Sequence, residues 1–287
     1  AFDKSGKYVK TIGRSGQGPG ELGGAIAMTL LPDKNEIYVY EVSNRMISVF
    51  STSGSYLRQI PVRGMTNDLK IDSRGNVFMM DFVRDTRLKP GLRQKVLKKM
   101  NPDMSKVLIE FTRYYLEENG KALSPVDYWV VDDKDHLIYG AAKTYEISYF
   151  NSDGKLARKI LRDYAPVKVT QRDIDEFRKT AVPPGGPPGE SRAYRYSPYH
   201  SAYRSFFIDD REHLFIQTWQ RSDDNRKDIH DIFDADGRFI GQVPLPRNAS
   251  LFNPRIRIMR NVKLYTIEPD EEGCEVVKRY AVTWLKE

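Results

Sequence analysis

The sequence predicts an all-β chain of antiparallel hairpins that repeat roughly every 50 residues, and three observations carry that prediction. The first is the stretch Phe2-Asp3-Lys4-Ser5-Gly6-Lys7-Tyr8-Val9, which returns as Phe50-Ser51-Thr52-Ser53-Gly54-Ser55-Tyr56-Leu57, Met100-Asn101-Pro102-Asp103-Met104-Ser105-Lys106-Val107, Phe150-Asn151-Ser152-Asp153-Gly154-Lys155-Leu156 and Phe233-Asp234-Ala235-Asp236-Gly237-Arg238-Phe239. Each copy sets a polar cluster ending in Gly between apolar runs, which is the chemistry of a tight turn that needs positive φ. The glycine-less copy keeps the phase through Met104, so the steps are 48, 50, 50 and 83 residues. The second observation is another turn series, out of phase with the first, at Pro32-Asp33-Lys34-Asn35, Asp72-Ser73-Arg74-Gly75, Asp132-Asp133-Lys134-Asp135, Asp209-Asp210-Arg211-Glu212 and Met259-Arg260-Asn261. The third is that the runs after these turns, such as Ile37-Tyr38-Val39-Tyr40 and Val77-Phe78-Met79-Met80, are apolar on both faces, as strands between neighbouring sheets are. Two hairpins per repeat make a four-stranded unit the size of one β-propeller blade.

A ring of such repeats is one body, so residues 1–287 are expected to form a single domain, with an insertion at about 163–199 that accounts for the long last step. The composition suits a β-rich globular chain: 40% hydrophobic and 11% aromatic, with 17 tyrosines. The net charge of +7 is spread along the chain without a basic block, which permits anionic partners but gives nucleic acid no clustered stripe. Cys274 is the single cysteine, so an intrachain disulfide is excluded. No apolar run reaches the length of a transmembrane span. The chain opens in mid-hairpin at Ala1, which leads to the expectation that residues upstream are missing or removed.

In chain order, Lys7–Ile12 is expected to be an outer strand that completes the last repeat and brings Tyr8 and Val277 into one sheet. That last repeat shows three strands of its own, around 256–259, 264–267 and 276–282. The segment Ile12-Gly13-Arg14-Ser15-Gly16-Gln17-Gly18-Pro19-Gly20-Glu21-Leu22 is the strongest motif. Together with Ile37-Tyr38-Val39-Tyr40, Ser43 to Phe50 and Gly54, it resembles an NHL repeat, and the chain as a whole resembles the NHL-related six-bladed β-propeller proteins of bacteria. The resemblance is specific over residues 1–60. It implies a propeller, of which five blades are countable here against the family's six, and an exported location (periplasmic, cell-surface or extracellular), since many such proteins are exported. Either a blade is absent from this chain or the ring closes with five.

Within the insertion, Thr170 stands as N-cap with Asp173 as its capping-box partner, opening a short helix with Ile174 and Phe177 on one face. The helix must stop before Pro183-Pro184-Gly185-Gly186-Pro187-Pro188-Gly189.

The candidate chemistry is sparse. Gly13 to Gly20 lacks the Lys-Ser/Thr ending and the helix of a phosphate loop. Asp234 to Gly237 lacks the glutamate of a twelve-residue calcium loop. Some NHL-type propellers are zinc-dependent lyases with histidines at the central channel, but His136 and His213 occupy the place of Asn76, just after a hairpin turn. His230 lies on a strand with acidic neighbours, where a surface hydrogen bond is expected. No residue is singled out as catalytic or metal-ligating, no cofactor is called for, and catalysis has no positive signal.

What stands out is Arg192, Tyr194, Arg195, Tyr196, Tyr199, His200, Tyr203 and Arg204, a strip of residue types that anchor interfaces. The leading expectation is therefore a non-enzymatic binding or assembly module that contacts a protein, peptide or glycan through this strip. Packing of the tyrosines against their own blade is the structural alternative. A metal-dependent propeller lyase or hydrolase and a self-assembling extracellular subunit are the competing functional readings.

Overall fold

The computed structural model describes residues 1–3, 5–64, 66, 68–83, 89, 92–117, 122–141, 143–181, 195–223, 226–246 and 257–284. These residues form two compact units. The first holds 1–119 with 133–135 and 152–154; the second holds 120–132, 136–151 and 155–287.

The first unit begins with a bridge between Phe2 and Tyr8 across the Asp3–Gly6 turn. A two-residue parallel pair follows, β1 (Arg14–Ser15) with β2 (Glu21–Leu22). The expected strand Lys7–Ile12 does not form, and Tyr8 is exposed on its local aromatic contact with Phe2 instead. Two four-stranded antiparallel sheets follow. One is β3 (Ala25–Leu31), β4 (Glu36–Glu41), β5 (Met46–Ser51) and β6 (Tyr56–Pro61); the other is β7 (Leu69–Ile71), β8 (Val77–Val83), β9 (Leu92–Met100) and β10 (Val107–Glu117). Their shared core runs from Tyr38, Tyr40 and Ile47 on the first sheet to Leu69, Met79 and Met104 on the second.

The second unit repeats the plan. Its sheets are β11 (Tyr128–Val131), β12 (Leu137–Ala141), β13 (Glu146–Phe150) and β14 (Leu156–Leu161), then β15 (Ser205–Ile208), β16 (Leu214–Arg221), β17 (Lys227–Phe233) and β18 (Phe239–Pro246). A third sheet has three strands among the described residues: β19 (Arg257–Arg260), β20 (Lys263–Pro269) and β21 (Glu275–Ala281). Ile256, expected at the start of β19, lies outside the described residues. Between β14 and β15 stands α1 (Gln171–Ala181), the only helix of the described residues besides a single 3-10 turn at Pro32–Lys34.

Both turn series appear in the backbone. Asn35, Gly75, Asp135, Glu212 and Asn261 adopt φ of 52°, 90°, 62°, 66° and 50° in the first hairpin of each sheet. Gly54, Met104, Gly154 and Gly237 adopt 94°, 58°, 82° and 82° between the third and fourth strands, and Gly6 adopts 86° in the Asp3–Gly6 turn. The turns are stabilised by their leading Asp or Asn, whose carboxylate or amide oxygen accepts the backbone N–H four residues on: Asp72 from Asn76, Asp132 from His136, Asp209 from His213, Asn151 from Lys155 and Asp234 from Arg238. The strands apolar on both faces are the second strands of the sheets, and Tyr38, Val39, Tyr40, Leu137, Ile138, Leu214 and Ile216 are all buried.

Candidate functional site

The glycine-rich segment of the first unit closes on itself. The Glu21 carboxylate accepts the backbone N–H groups of Gln17 and Gly18 at 3.0 and 2.9 Å and the Arg14 Nε–H at 2.8 Å. A side-chain anion thus already occupies the cradle that a phosphate loop would offer. A Cβ at Gly16 would collide with that carboxylate, which explains the glycine.

The insertion in the second unit is built on its capping box. The Thr170 backbone N–H donates to Asp173 Oδ2 at 2.7 Å and the Asp173 N–H donates back to Thr170 Oγ1 at 3.3 Å. The strip then returns in extended form, pairing on two sides. Ala122 bridges Tyr196, Lys168 bridges Tyr199, and the His200 N–H reaches the Val167 carbonyl at 2.9 Å.

Side chains of the strip divide by burial. Tyr203 is 1% exposed, its ring packed edge-on against Tyr145 and Phe206 in the core. His200 is also buried. It lies flat on Trp219 with centroids 3.7 Å apart, and its Nε2 faces Asp173 Oδ2 at 3.1 Å. Burial works against the charged form of Asp173, but the hydrogen bonds from Thr170 and His200 outweigh it and hold the carboxyl below the usual range. The Arg204 guanidinium sits 5.0 Å from the Trp219 ring centroid and 3.5 Å from Asp228 Oδ1. Tyr196 is half-buried, meets Phe177 edge-on and accepts from Arg178 Nε at 3.2 Å, so it fastens the helix. Arg195 is exposed and Tyr199 is 43% exposed. Arg192 and Tyr194 lie outside the described residues, as does the Pro/Gly arm.

Behind Trp219 is a buried polar centre that sequence reading did not find. Asp228 Oδ2 accepts from Gln217 Nε2 at 2.7 Å and faces Arg257 Nη2 at 3.5 Å. His230 is 0% exposed, which corrects the expectation of a surface hydrogen bond. Its Nδ1–H donates to the Asp228 carbonyl at 3.0 Å, so Nε2 accepts from Arg257 Nη1 at 3.1 Å. Burial, with the neighbouring Arg257 charge, pushes the imidazole down to about 3. The missed signal was periodicity: Asp228 and His230 share one face of a strand, and that face is covered by Arg257 of the next sheet. A second buried carboxylate, Asp231, accepts from Tyr145 Oη at 2.6 Å, pairs with Arg162 and accepts from Gln242 Nε2 at 2.7 Å. A shallow hollow of about 640 Å3 opens beside it, lined by Tyr145, Glu146, Leu161, Arg162 and Tyr164 at the root of the insertion.

The other histidines are engaged singly. His136 Nδ1 meets Asp132 at 3.0 Å, and His213 Nδ1 meets Asp209 at 2.9 Å with its ring on Trp284. Among the described residues no three His, Cys, Asp or Glu side chains converge as a metal would need.

Known proteins agree with this architecture. Residues 1–69 match the family DUF5128, a 6-bladed beta-propeller. A Bacteroides fragilis protein described as exported superposes with a TM-score of 0.56 at 13% identity, over 93% of this chain and 72% of its own. A DUF4221 family member from Bacteroides vulgatus gives 0.56 at 12% identity, over 98% and 85%. The fold is that of a β-propeller. Its blades are the four-stranded sheets described above, five being seen with the last three-stranded, and at these identities the likeness extends to fold alone. No curated protein matches the chain.

Proposed function

We propose that this propeller is a non-enzymatic binding module that presents its insertion to a protein, peptide or glycan outside the cytoplasm. The observation that carries the reading is the clamp from Asp173 through His200 and Trp219 to Arg204. It fixes the insertion to a blade and leaves Arg195, Tyr199 and Val167 facing outward on a paired, extended backbone. A preorganised surface gains affinity because little ordering remains to be done on binding. Tyr and Arg are the residue types such surfaces use for anchoring. Export is supported by the likeness to a B. fragilis protein described as exported.

The test is capture from bacterial envelope fractions, together with a glycan array. Arg195→Ala combined with Tyr199→Ala is expected to abolish partner retention with an unchanged Tm. Retention equal to that of the unmodified protein removes this reading.

Self-association is the second reading, favoured by Ile26, Met28 and Leu30. These alternate on β3, so they share one face, and they are 42%, 68% and 52% exposed. Sedimentation of the protein beside Met28→Lys tests it, and a monomer in both cases rejects it.

A further inference from the structure

A second site lies in the first unit, away from the insertion. The turn from β4 to β5, the connection from β6 to β7, and the facing ends of β8 and β9 enclose a cleft of about 270 Å3, lined by Tyr40, Arg45, Gly64, Thr66, Phe82 and Arg93. Its floor is fixed. Tyr40 is 1% exposed and its hydroxyl donates to the Thr66 carbonyl at 3.2 Å, while Thr66 Oγ1 donates to the Asp68 carbonyl at 2.6 Å. Gly64, at φ 132°, brings the connection so close to β8 that a Cβ there would stand 2.7 Å from the Asp81 carboxylate.

Arg45 is what the fold does not explain. It holds φ at 50°, a left-handed conformation that costs an L residue about 1 kcal/mol. Its side chain is exposed and makes no ion pair with a described residue. Arg45 lines the cleft together with Tyr40, whose hydroxyl is raised by burial and only partly lowered by the Arg45 charge. Asp81, beside Gly64, is paired with Lys98 Nζ at 2.6 Å. Lys95 Nζ stands 5.7 Å from the Phe82 ring centroid and adds to the positive field. The result is a cationic cleft with Tyr40 in its floor and Phe82 at its side, slightly smaller than the roughly 300–1,000 Å3 of drug-sized sites.

We propose that this cleft binds a small carboxylic acid carrying one ring, with the carboxylate on Arg45 and the ring against Phe82. Guanidinium groups grip carboxylates through paired N–H donors, and a small positive cleft selects for charge before shape.

Calorimetric titration with D-glucuronate, benzoate, D-glucose and inorganic phosphate tests it. Binding of glucuronate assigns the site to acidic sugars, binding of benzoate to aromatic acids, and either supports the proposal if glucose fails. Arg45→Ala is expected to weaken the bound carboxylate at least about tenfold, and Arg45→Lys less. Arg45→Gly relaxes the turn, so it should lose binding without losing Tm. Failure of both carboxylates, phosphate binding more tightly than either, or affinity unchanged in Arg45→Ala overturns the proposal.

Discussion

His200 and Trp219 stack with their ring centroids 3.7 Å apart at an interplanar angle of 23°, and this contact fastens the insertion to the propeller. The two rings lie face to face, and the Trp219 Nε1–H is satisfied by the Ser201 carbonyl at 2.7 Å. Arg204 contacts the same ring, so the indole takes an imidazole and a guanidinium at once. Two residue types that a sequence reader assigns to partner contacts are therefore spent on holding the insertion in place.

Truncating Trp219 should free the insertion without unfolding the sheets. Trp219→Ala is expected to cost about 2–4 kcal/mol, at or below the usual range for a large aromatic because the ring is half-buried. The discriminating measurement is hydrogen exchange at residues 167–181. Exchange there should accelerate strongly while Leu137–Ala141 stays protected, and Trp219→Phe should retain part of the protection. Exchange at 167–181 equal to that of the unmodified protein would show that the helix is held by Phe177 and Tyr196 alone.

At Met104 two effects oppose each other. The position belongs to the glycine phase of the turn and sits at φ 58°, yet the side chain is 1% exposed within the core of the first unit. Met104→Gly would relieve about 1 kcal/mol of left-handed strain and open a cavity worth about 2–5 kcal/mol. Cavity formation should win, giving a net loss of about 1–4 kcal/mol in urea denaturation. At Gly54, φ 94°, the same trade has no packing side, so Gly54→Ala should be destabilising through strain alone. A stabilised Met104→Gly would mean that the side chain contributes little to the core.

The blades were readable because their turns are local: Asp, Asn and Gly at fixed offsets determine their own backbone, and Asn35, Asp135 and Asn261 show it in φ. The capping box of α1 was readable for the same local reason. The polar centre was not, since the partners of Asp228 come from Gln217 and Arg257, 11 and 29 residues away. Nor could the sequence divide the strip into buried Tyr203 and exposed Tyr199, because the aromatic rings that bury Tyr203 include Tyr145, 58 residues away in the chain.

The buried imidazole of His230 makes stability depend on pH in a defined window. Its folded pKa is depressed to about 3 from an ordinary 6.5, so between these values the unfolded chain takes up a proton that the native state refuses. Stability from this group is complete above pH 6.5 and falls as pH drops, by about 1.4 kcal/mol per unit within the window and about 2 kcal/mol between pH 7 and pH 5. Carboxylates held below their usual range, such as Asp72 and Asp173, lose their contribution only at lower pH, and the slope that His230→Gln removes is the part that belongs to this imidazole. His230→Gln should lower stability at every pH, since Arg257 loses its acceptor geometry, but should flatten the slope. Urea unfolding at pH 7, 6 and 5 measures both. Equal slopes in the two proteins would mean that His230 takes a proton in the folded state, with Arg257 displaced from its 3.1 Å contact.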